Sequence, residues 1–320
     1  MINKANIVFS VSMAGVSPAT FLSVLFLGLI LFADAQQPGA KTAAIKTKWL
    51  DIGYAEISPA QKLDIYLPDS NSNKYPVIIS IHGGAFMMGD KADAQVTPML
   101  EGLQHGYAVV SINYRLSSEA LFPKNIEDLK TAIRWVKANA VNYKLNPGKI
   151  AVWGNSAGGY LAALAGTSGG IMTLEDLSLG NPDQVSRVQA VVDWYGPINF
   201  LKMDEQLKAT GYGIPNHNEV NSPESKLMGQ QIMLIPEKVK LANPENYISK
   251  DDPPFLIMHG EEDQLVPAQQ SIIFSHKLKN VLGKEKITLH VIENAHHGGP
   301  EFEKAENLKM VFDFLDKYLK

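Results

Sequence analysis

Residues 150–166 read IAVWGNSAGGYLAALAG, and this stretch decides how the rest of the chain is interpreted. The apolar run at its start predicts a buried strand, and the alanine-rich run at its end predicts a helix. Between them, Gly154, Ser156 and Gly158 have the G-x-S-x-G spacing of a nucleophile held in a sharp strand-to-helix turn. Such a turn needs neighbours without bulk, which glycine provides. A nucleotide-binding turn is the alternative, but the spacing is not G-x-G-x-x-G and the P-loop lysine is absent.

Strand and helix patterns alternate on both sides of this stretch. Residues 62–67 alternate with period two, which is typical of a half-buried edge strand. The alternation predicts an α/β fold with a mostly parallel central sheet and helices on both faces. The predicted strands are 62–67, 77–81, 107–112, 150–153, 188–194, 255–258 and 287–292, and the predicted helices are 126–140, 157–166, 269–282 and 301–319.

Residues 199–252 break this rhythm, because they are rich in Asn, Pro, Lys and Met and have only a weak helical pattern. Inserts of this length in α/β proteins usually lie over the carboxyl edge of the sheet. We expect a lid insertion after the sixth strand of the fold. A surface decoration away from the site is the alternative.

A second glycine-rich loop, His82-Gly-Gly-Ala-Phe86, directly follows the predicted strand 77–81. Backbone N–H groups without bulky neighbours are what an oxyanion hole requires. We expect the N–H groups of Gly84, Ala85 and Ala157 to surround a tetrahedral oxyanion. His82 is interpreted as a structural residue that orients this loop.

A nucleophilic serine needs a base, and the base needs a carboxylate that orients it. Asp263, in the loop after the predicted strand 255–258, is the expected acid, while Glu261 and Glu262 resemble solvated loop charges. The loop after the last strand carries the adjacent pair His296 and His297. Adjacent side chains point apart, so one of the two is expected to face the serine. The remaining histidines, His105, His217, His259, His276 and His290, are interpreted as ordinary surface or core residues.

Composition excludes several other kinds of site. The 320 residues include 29 Lys and Arg against 33 Asp and Glu, which argues against a nucleic-acid partner. The chain has no cysteine, so disulfides, thiolate metal sites and cysteine nucleophiles are impossible. A metal site is the rival explanation of the histidine pair, but neighbours in sequence rarely bind one ion and no H-E-x-x-H spacing is present. We therefore expect neither a metal nor a cofactor.

The N-terminus has the pattern of a secretory signal. Lys4 is the only charge before Asp34, residues 21–32 form an apolar run, and Ala33-Asp-Ala35 has small residues where signal peptidase reads the chain. This predicts a signal peptide at 1–35, a single domain at 36–320, and a secreted or periplasmic protein with no stable membrane span after cleavage. The alternative is an uncleaved membrane anchor, because residues 7–33 carry no charge.

Taken together, these motifs resemble those of the α/β-hydrolase superfamily. The similarity is to the branch of hormone-sensitive-lipase-like carboxylesterases and their bacterial relatives, which include feruloyl and acetylxylan esterases. It extends from about residue 62 to the C-terminus. It rests on His82-Gly-Gly-Ala, Asn113-Tyr-Arg-Leu116, Phe122-Pro123 with Glu127-Asp128, Gly154-Asn-Ser-Ala-Gly-Gly159, His259-Gly-Glu-Glu-Asp263 with Val266-Pro267, and Ala295-His-His-Gly298.

The resemblance implies the α/β-hydrolase fold and a triad of Ser156, Asp263 and His297. The family motif G-A-x-H-G puts the catalytic histidine at His297 rather than His296. Ala85 stands where the family has the third glycine of H-G-G-G, which narrows the room for bulky alcohol groups. The helical N-terminal cap of typical relatives is not evident, so we expect the insert after Pro197 to cover the site instead.

The sequence therefore predicts a secreted serine carboxylesterase that forms an acyl-enzyme on short-chain or aromatic acyl esters. Its expected partner is a small-molecule or polysaccharide-linked ester, and acetyl or feruloyl esters of plant polysaccharide are the candidates. A peptidase of the prolyl-oligopeptidase type is one alternative, although such enzymes usually carry a large propeller for which this chain is too short. A non-catalytic binding protein on a hydrolase scaffold is another, and its signature would be the loss of a triad residue.

Overall fold

The computed structural model describes residues 39–320, and the predicted signal peptide at 1–35 lies outside the described residues. Eight strands form a single sheet in the order β1-β2-β4-β3-β5-β6-β7-β8. Six neighbouring strands, from β4 to β8 in that order, are parallel, and β2 is antiparallel to both of its neighbours. The strands are β1 Lys48–Gly53, β2 Lys62–Tyr66, β3 Tyr75–Ile81, β4 Ala108–Ile112, β5 Leu145–Asn155, β6 Ala190–Trp194, β7 Phe255–Gly260 and β8 Ile287–Ile292.

Helices cover both faces of the sheet. The side chains of β3 alternate between the two hydrophobic cores, with Val77 and Ile79 in one and Ile78 in the other. The predicted α/β fold with a mostly parallel sheet is therefore confirmed. Within 39–320, no helix is long and apolar enough to cross a membrane. The helices are α1 Thr97–Leu100, α2 Lys124–Ala138, α3 Ala157–Thr167, α4 Met203–Thr210, α5 Pro223–Met228, α6 Pro236–Lys240, α7 Gln269–Leu282 and α8 Ala305–Leu319; α2, α3 and α7 pack on one face, and α1 and α8 on the other.

The expectation that 62–67 forms a half-buried edge strand is wrong. β1 pairs with β2 on its outer side, so β2 lies inside the sheet. The register of β1 shifts between Trp49 and Ile52, which interrupts the alternation that would have revealed it. The polar residue of β2, Asp64, is buried and forms an ion pair with Lys91 at 3.0 Å instead of facing solvent.

The insertion at 199–252 lies between β6 and β7, after the sixth strand, and contains α4, α5 and α6. Hydrogen bonds to backbone carbonyl groups of the insertion join it to the rest of the protein. The Phe122 N–H donates to the Leu227 carbonyl at 3.0 Å, and the Tyr160 hydroxyl donates to the Ala242 carbonyl at 2.8 Å. Tyr160 lies near the start of α3, which begins directly after Ser156, so its contact holds the insertion near the carboxyl edge of the sheet. Its role as a lid stays a prediction.

Buried ion pairs hold the segment between α3 and β6 against α2. Lys130 and Arg134, both fully buried on α2, share the carboxylate of Glu175, and Arg134 forms an ion pair with it. Arg134 also donates to the Asp176 carbonyl at 2.8 Å, and Lys130 donates to the Ser168 carbonyl at 2.7 Å. One carboxylate therefore offsets two buried cations.

We expect Glu175→Gln to lower the free energy of unfolding by about 3–5 kcal/mol, because it leaves two buried cations without their counter-ion. Chemical denaturation measures this loss. The matched control is Asp313→Asn, which breaks the exposed pair with Lys309 and should cost less than about 1 kcal/mol. Equal losses in the two variants would contradict the interpretation.

Candidate active site

Ser156 lies in the turn between β5 and α3, with φ 54° and ψ −121°. A Cβ on Gly154 would lie 2.1 Å from the Gly158 carbonyl oxygen, and a Cβ on Gly158 would lie 2.1 Å from the Ile81 carbonyl oxygen. Both flanking glycines are therefore required by backbone contact. The Ser156 N–H donates to the Trp194 carbonyl at 2.9 Å, which ties the turn to the end of β6.

Three side chains from separate loops meet at this turn. Nε2 of His297 lies 2.8 Å from Oγ of Ser156, and Nδ1 of His297 lies 2.7 Å from Oδ2 of Asp263. Asp263 follows β7 and His297 follows β8, so the parallel strands deliver both residues to the same edge of the sheet. The structure brings together the serine, base and acid that the sequence predicts. Their catalytic roles stay a prediction.

The other candidates for the base and the acid, His296 and Glu261, make different contacts. His296 is exposed, and its Nδ1 lies 3.1 Å from the Glu262 carbonyl oxygen. The Glu261 carboxylate is exposed and accepts the Asn294 N–H at 3.3 Å. Of the adjacent histidines, it is His297 that faces the serine.

Asp263 is buried, and its carboxylate accepts several hydrogen bonds. Its Oδ1 accepts the N–H groups of Leu265 and Val266, each at 2.8 Å, and its Oδ2 also lies 3.2 Å from Nε2 of His259. Burial alone would raise the pKa of Asp263, but the charge and hydrogen bonds of His297 and His259 outweigh burial and hold that pKa well below its usual range. The carboxylate therefore stays ionised and fixes the Nδ1–H tautomer of His297.

The predicted oxyanion loop has an unusual backbone. Gly84, Ala85 and Phe86 all have positive φ, at 110°, 54° and 64°. The neighbouring Gly83 N–H is already bound, because it donates to Oε1 of Gln95 at 2.9 Å. Within residues 39–320, the N–H groups of Gly84, Ala85 and Ala157 donate no hydrogen bond, so they are available to a ligand. Three N–H donors without partners suit a developing oxyanion, and their role as an oxyanion hole stays a prediction.

His82 lies beneath this loop. Its buried ring stacks on Tyr114 with centroids 4.5 Å apart, and its Nδ1 lies 2.7 Å from the Gly83 carbonyl oxygen. Burial lowers the pKa of His82, which favours the neutral ring. A Cβ on Gly89 would lie 2.3 Å from Nδ1, so His82 fills the space between the two ends of the loop.

Sequence reasoning missed Tyr195. Its ring lies edge-on to His297 with centroids 4.8 Å apart, and its φ is 45°. Positive φ in a bulky residue is rare and often marks a functional site. The available signal was its position, directly after the strand that neighbours β5. This contact limits the orientations of the His297 ring.

Asp193 is a second buried carboxylate under the turn. Its Oδ1 accepts the Gly196 N–H at 2.9 Å, while its Oδ2 has no hydrogen-bond partner among residues 39–320. Burial raises the pKa of Asp193 to about 6, against the opposing effect of the Gly196 N–H. A carboxyl whose pKa is raised on folding stabilises the fold while protonated, and this contribution is lost as the pH rises through that pKa.

We therefore expect Asp193→Asn to be more thermostable than the wild type at pH 8 and similar to it near pH 4. A shift from 3.8 to about 6 corresponds to about 3 kcal/mol, or roughly 6 °C or more in Tm at pH 8. Thermal unfolding across pH 4 to 8 measures the gap. Asp313→Asn is the exposed control, and a gap that stays constant with pH would contradict the prediction.

Comparisons with known proteins give the same architecture. The BD-FAE family profile matches residues 63–278. The chain is 35% identical over 236 residues to the probable carboxylic ester hydrolase LipM of Mycobacterium tuberculosis, covering 72% of this chain and 52% of LipM. It is 32% identical over 275 residues to the esterase LipQ of the same organism, covering 84% of this chain and 61% of LipQ. The chain thus spans between half and two thirds of the length of these curated relatives.

Two solved structures are more than 30% identical to this chain. A truncated carbohydrate esterase from gut microbiota is 35% identical with a TM-score of 0.78, and the match covers 88% of this chain and 99% of that one. A bifunctional GH43-CE protein of Bacteroides eggerthii is 37% identical with a TM-score of 0.76, covering 85% of this chain and 35% of that one. An esterase of Thermogutta terrifontis, 22% identical over 86% of this chain and 94% of its own with a TM-score of 0.65, shares the fold. The expected resemblance to α/β-hydrolase esterases is confirmed, and the chain belongs to the BD-FAE family.

Proposed function

We propose that this protein is a serine carboxylesterase that cleaves short-chain or aromatic acyl esters through an acyl-enzyme. The observation that carries the proposal is the continuous hydrogen-bond path from Ser156 through His297 to Asp263, with contacts of 2.8 and 2.7 Å. Within the described part of the chain, the N–H groups of Gly84, Ala85 and Ala157 donate no hydrogen bond, which leaves them available to an oxyanion. A nucleophile, a base, an orienting acid and an oxyanion hole together are the requirements for acyl transfer.

In the first half of the reaction, Oγ of Ser156 attacks the ester carbonyl while Nε2 of His297 takes its proton. The carbonyl oxygen becomes an oxyanion and accepts N–H groups of Gly84, Ala85 and Ala157. Each such donor contributes about 3 kcal/mol to transition-state stabilisation. Asp263 stays ionised and stabilises the imidazolium that forms. The tetrahedral intermediate then expels the alcohol, which leaves with the proton from His297.

In the second half, water replaces the alcohol. Nε2 of His297 takes a proton from the water as the oxygen attacks the acyl carbon. The same N–H groups bind the second oxyanion, and the proton returns to Oγ of Ser156 as the acid is released. The cycle uses residues of this chain and water.

We further propose that the natural ester is an acetyl or feruloyl group carried by a plant polysaccharide. The support is that two relatives above 30% identity are described as a carbohydrate esterase and as a bifunctional GH43-CE protein. A half-buried Ser156 is reachable by a substituent that projects from a polymer. The insertion at 199–252 would then bind the sugar side of the ester.

We expect Ser156→Ala to lower kcat for p-nitrophenyl acetate by at least about 10⁴-fold, because it removes the nucleophile. Hydrolysis of p-nitrophenyl acetate, butyrate and octanoate and of methyl ferulate, by wild type and variant side by side, measures both the loss and the acyl preference. Release of acetate from acetylated xylo-oligosaccharide and of ferulate from feruloylated arabinoxylan tests the polysaccharide proposal.

Ser178→Ala is the matched control, since Ser178 is exposed and lies in the segment between α3 and β6. It should retain wild-type rates. Wild-type protein that is inert on every ester would sink the esterase proposal and would favour a peptidase or a binding role. Activity on small esters without activity on either polysaccharide would overturn only the substrate class.

We also propose that the protein is exported, since a polysaccharide substrate lies outside the cell. The support is the signal-like pattern of residues 1–35. We expect the full chain, expressed in a bacterium with a Sec pathway, to yield a mature protein in the periplasm or medium that begins at Gln36. N-terminal sequencing measures this. An intact N-terminus in the membrane fraction would support the anchor instead.

A further inference from the structure

The loop that carries Asp263, residues 261–267, is here called the acid loop. Two consecutive N–H groups of this loop, from Leu265 and Val266, donate to Oδ1 of Asp263. The direction of the Asp263 carboxylate is therefore set by the position of the Leu265-Val266 backbone. Whatever holds the carbonyl groups of these same two residues also holds the carboxylate.

Two buried histidines bind those carbonyls. His259, on β7, has Nε2 2.8 Å from the Val266 carbonyl oxygen and Nδ1 2.6 Å from Oγ of Ser271. His217, in the insertion, has Nε2 2.9 Å from the Leu265 carbonyl oxygen. The acid loop is thus held from the sheet by His259 and from the insertion by His217.

The backbone around His217 is itself fixed. Asp204, buried on α4, accepts the His217 N–H at 2.8 Å and the Asn218 N–H at 3.1 Å. A Cβ on Gly213 would lie 2.0 Å from the Gln264 carbonyl oxygen, so this part of the insertion packs directly on the acid loop. The insertion therefore contacts the acid loop at Gly213 as well as at His217.

The second ring nitrogen of His217 determines its charge. Nδ1 lies 3.1 Å from Oε2 of Glu224, a buried carboxylate on α5. The ring thus faces a carbonyl on one side and a carboxylate on the other, and both are acceptors. Only the imidazolium can present an N–H to both acceptors, and its Nδ1 meets Oε2 of Glu224 as an ion pair that lacks hydrogen-bond geometry. Burial alone would lower the pKa of His217, but the hydrogen bond and charge of Glu224 outweigh it and raise that pKa.

We propose that His217 is a positioning residue that, as an imidazolium, couples the insertion to the acid loop and keeps the Asp263 carboxylate in line with His297. This inference rests on the proposed esterase function. It assigns a second, non-catalytic histidine to the same reaction. The insertion then affects turnover through the orientation of the acid as well as through substrate binding.

A pH dependence follows. The charged groups that face His217 are Glu224 from α5 and Asp204 from α4, while the acid loop presents the Leu265 carbonyl. As the pH rises through the raised pKa of His217, the ring loses one N–H. The remaining N–H stays with the Glu224 carboxylate, and the contact with the Leu265 carbonyl is lost. We expect kcat to fall on this alkaline side while KM stays the same.

The experiment measures kcat and KM for p-nitrophenyl acetate from pH 5.5 to 9, corrected for spontaneous hydrolysis. His217→Ala is expected to lower kcat about tenfold with KM within about twofold, which is less than the hundredfold that about a 1 Å displacement can cost. His290→Ala is the matched control. His290 lies on β8, is partly buried, and has Nε2 3.0 Å from Oδ1 of Asn307. The kcat of this variant should equal that of the wild type.

Glu224→Gln separates positioning from general stability. A glutamine amide can donate to the neutral Nδ1, so His217 keeps its bond to Leu265 at high pH and the alkaline fall in kcat should disappear. This variant also decides the question if His217→Ala does not fold. Wild-type kcat in a folded His217→Ala, or an unchanged alkaline limb in Glu224→Gln, overturns the proposal. Failure of the esterase proposal is recognised separately, by Ser156→Ala that keeps wild-type activity.

Discussion

The site depends on one steric constraint, the close approach of the turn at Ser156 to the two strands beside it. The turn passes so near the end of β3 that a side chain at Gly158 would overlap the Ile81 carbonyl, and the Ser156 N–H is bound to the end of β6. Because the serine is fixed to strands on both sides, the loops that leave those strands have defined positions around its hydroxyl. The oxyanion loop follows β3, and Tyr195 follows β6.

Two buried carboxylates near this turn have pKa values that are shifted in opposite directions. Asp263 lies against His297 and His259, and the charge and hydrogen bonds of these two histidines hold its pKa well below the usual range. Asp193 has the Gly196 N–H on one oxygen, and burial raises its pKa to about 6. Burial tends to raise the pKa of both carboxyls, and the contacts with the two histidines reverse the direction of the shift at Asp263. The carboxylate whose pKa is lowered is the one that contacts the proposed base.

The insertion at 199–252 adds a second layer to this arrangement. His217 of the insertion contacts the acid loop. This contact connects the segment that we expect to bind substrate with the loop of Asp263, which we expect to orient the base. Tyr195 limits the same imidazole from another side. His297 is therefore held by groups from the acid loop, from the segment after β6 and, indirectly, from the insertion. Such support keeps a catalytic geometry within the narrow range that acyl transfer requires.

The sequence by itself determined the α/β alternation, the glycine-flanked Ser156, the acid loop with Asp263, and the pair that contains His297. These features have local signatures, because a tight turn needs glycine and a buried parallel strand needs an unbroken apolar run. Only the tertiary structure decided that β1 covers β2, and that Tyr195, His217 and His259 contact the site. The bulge in β1 interrupts its alternation, so the sequence did not predict this strand. A single histidine has no sequence pattern that indicates its contacts. The surroundings of these residues come from segments far apart in the chain, and folding alone brings those segments within hydrogen-bond distance.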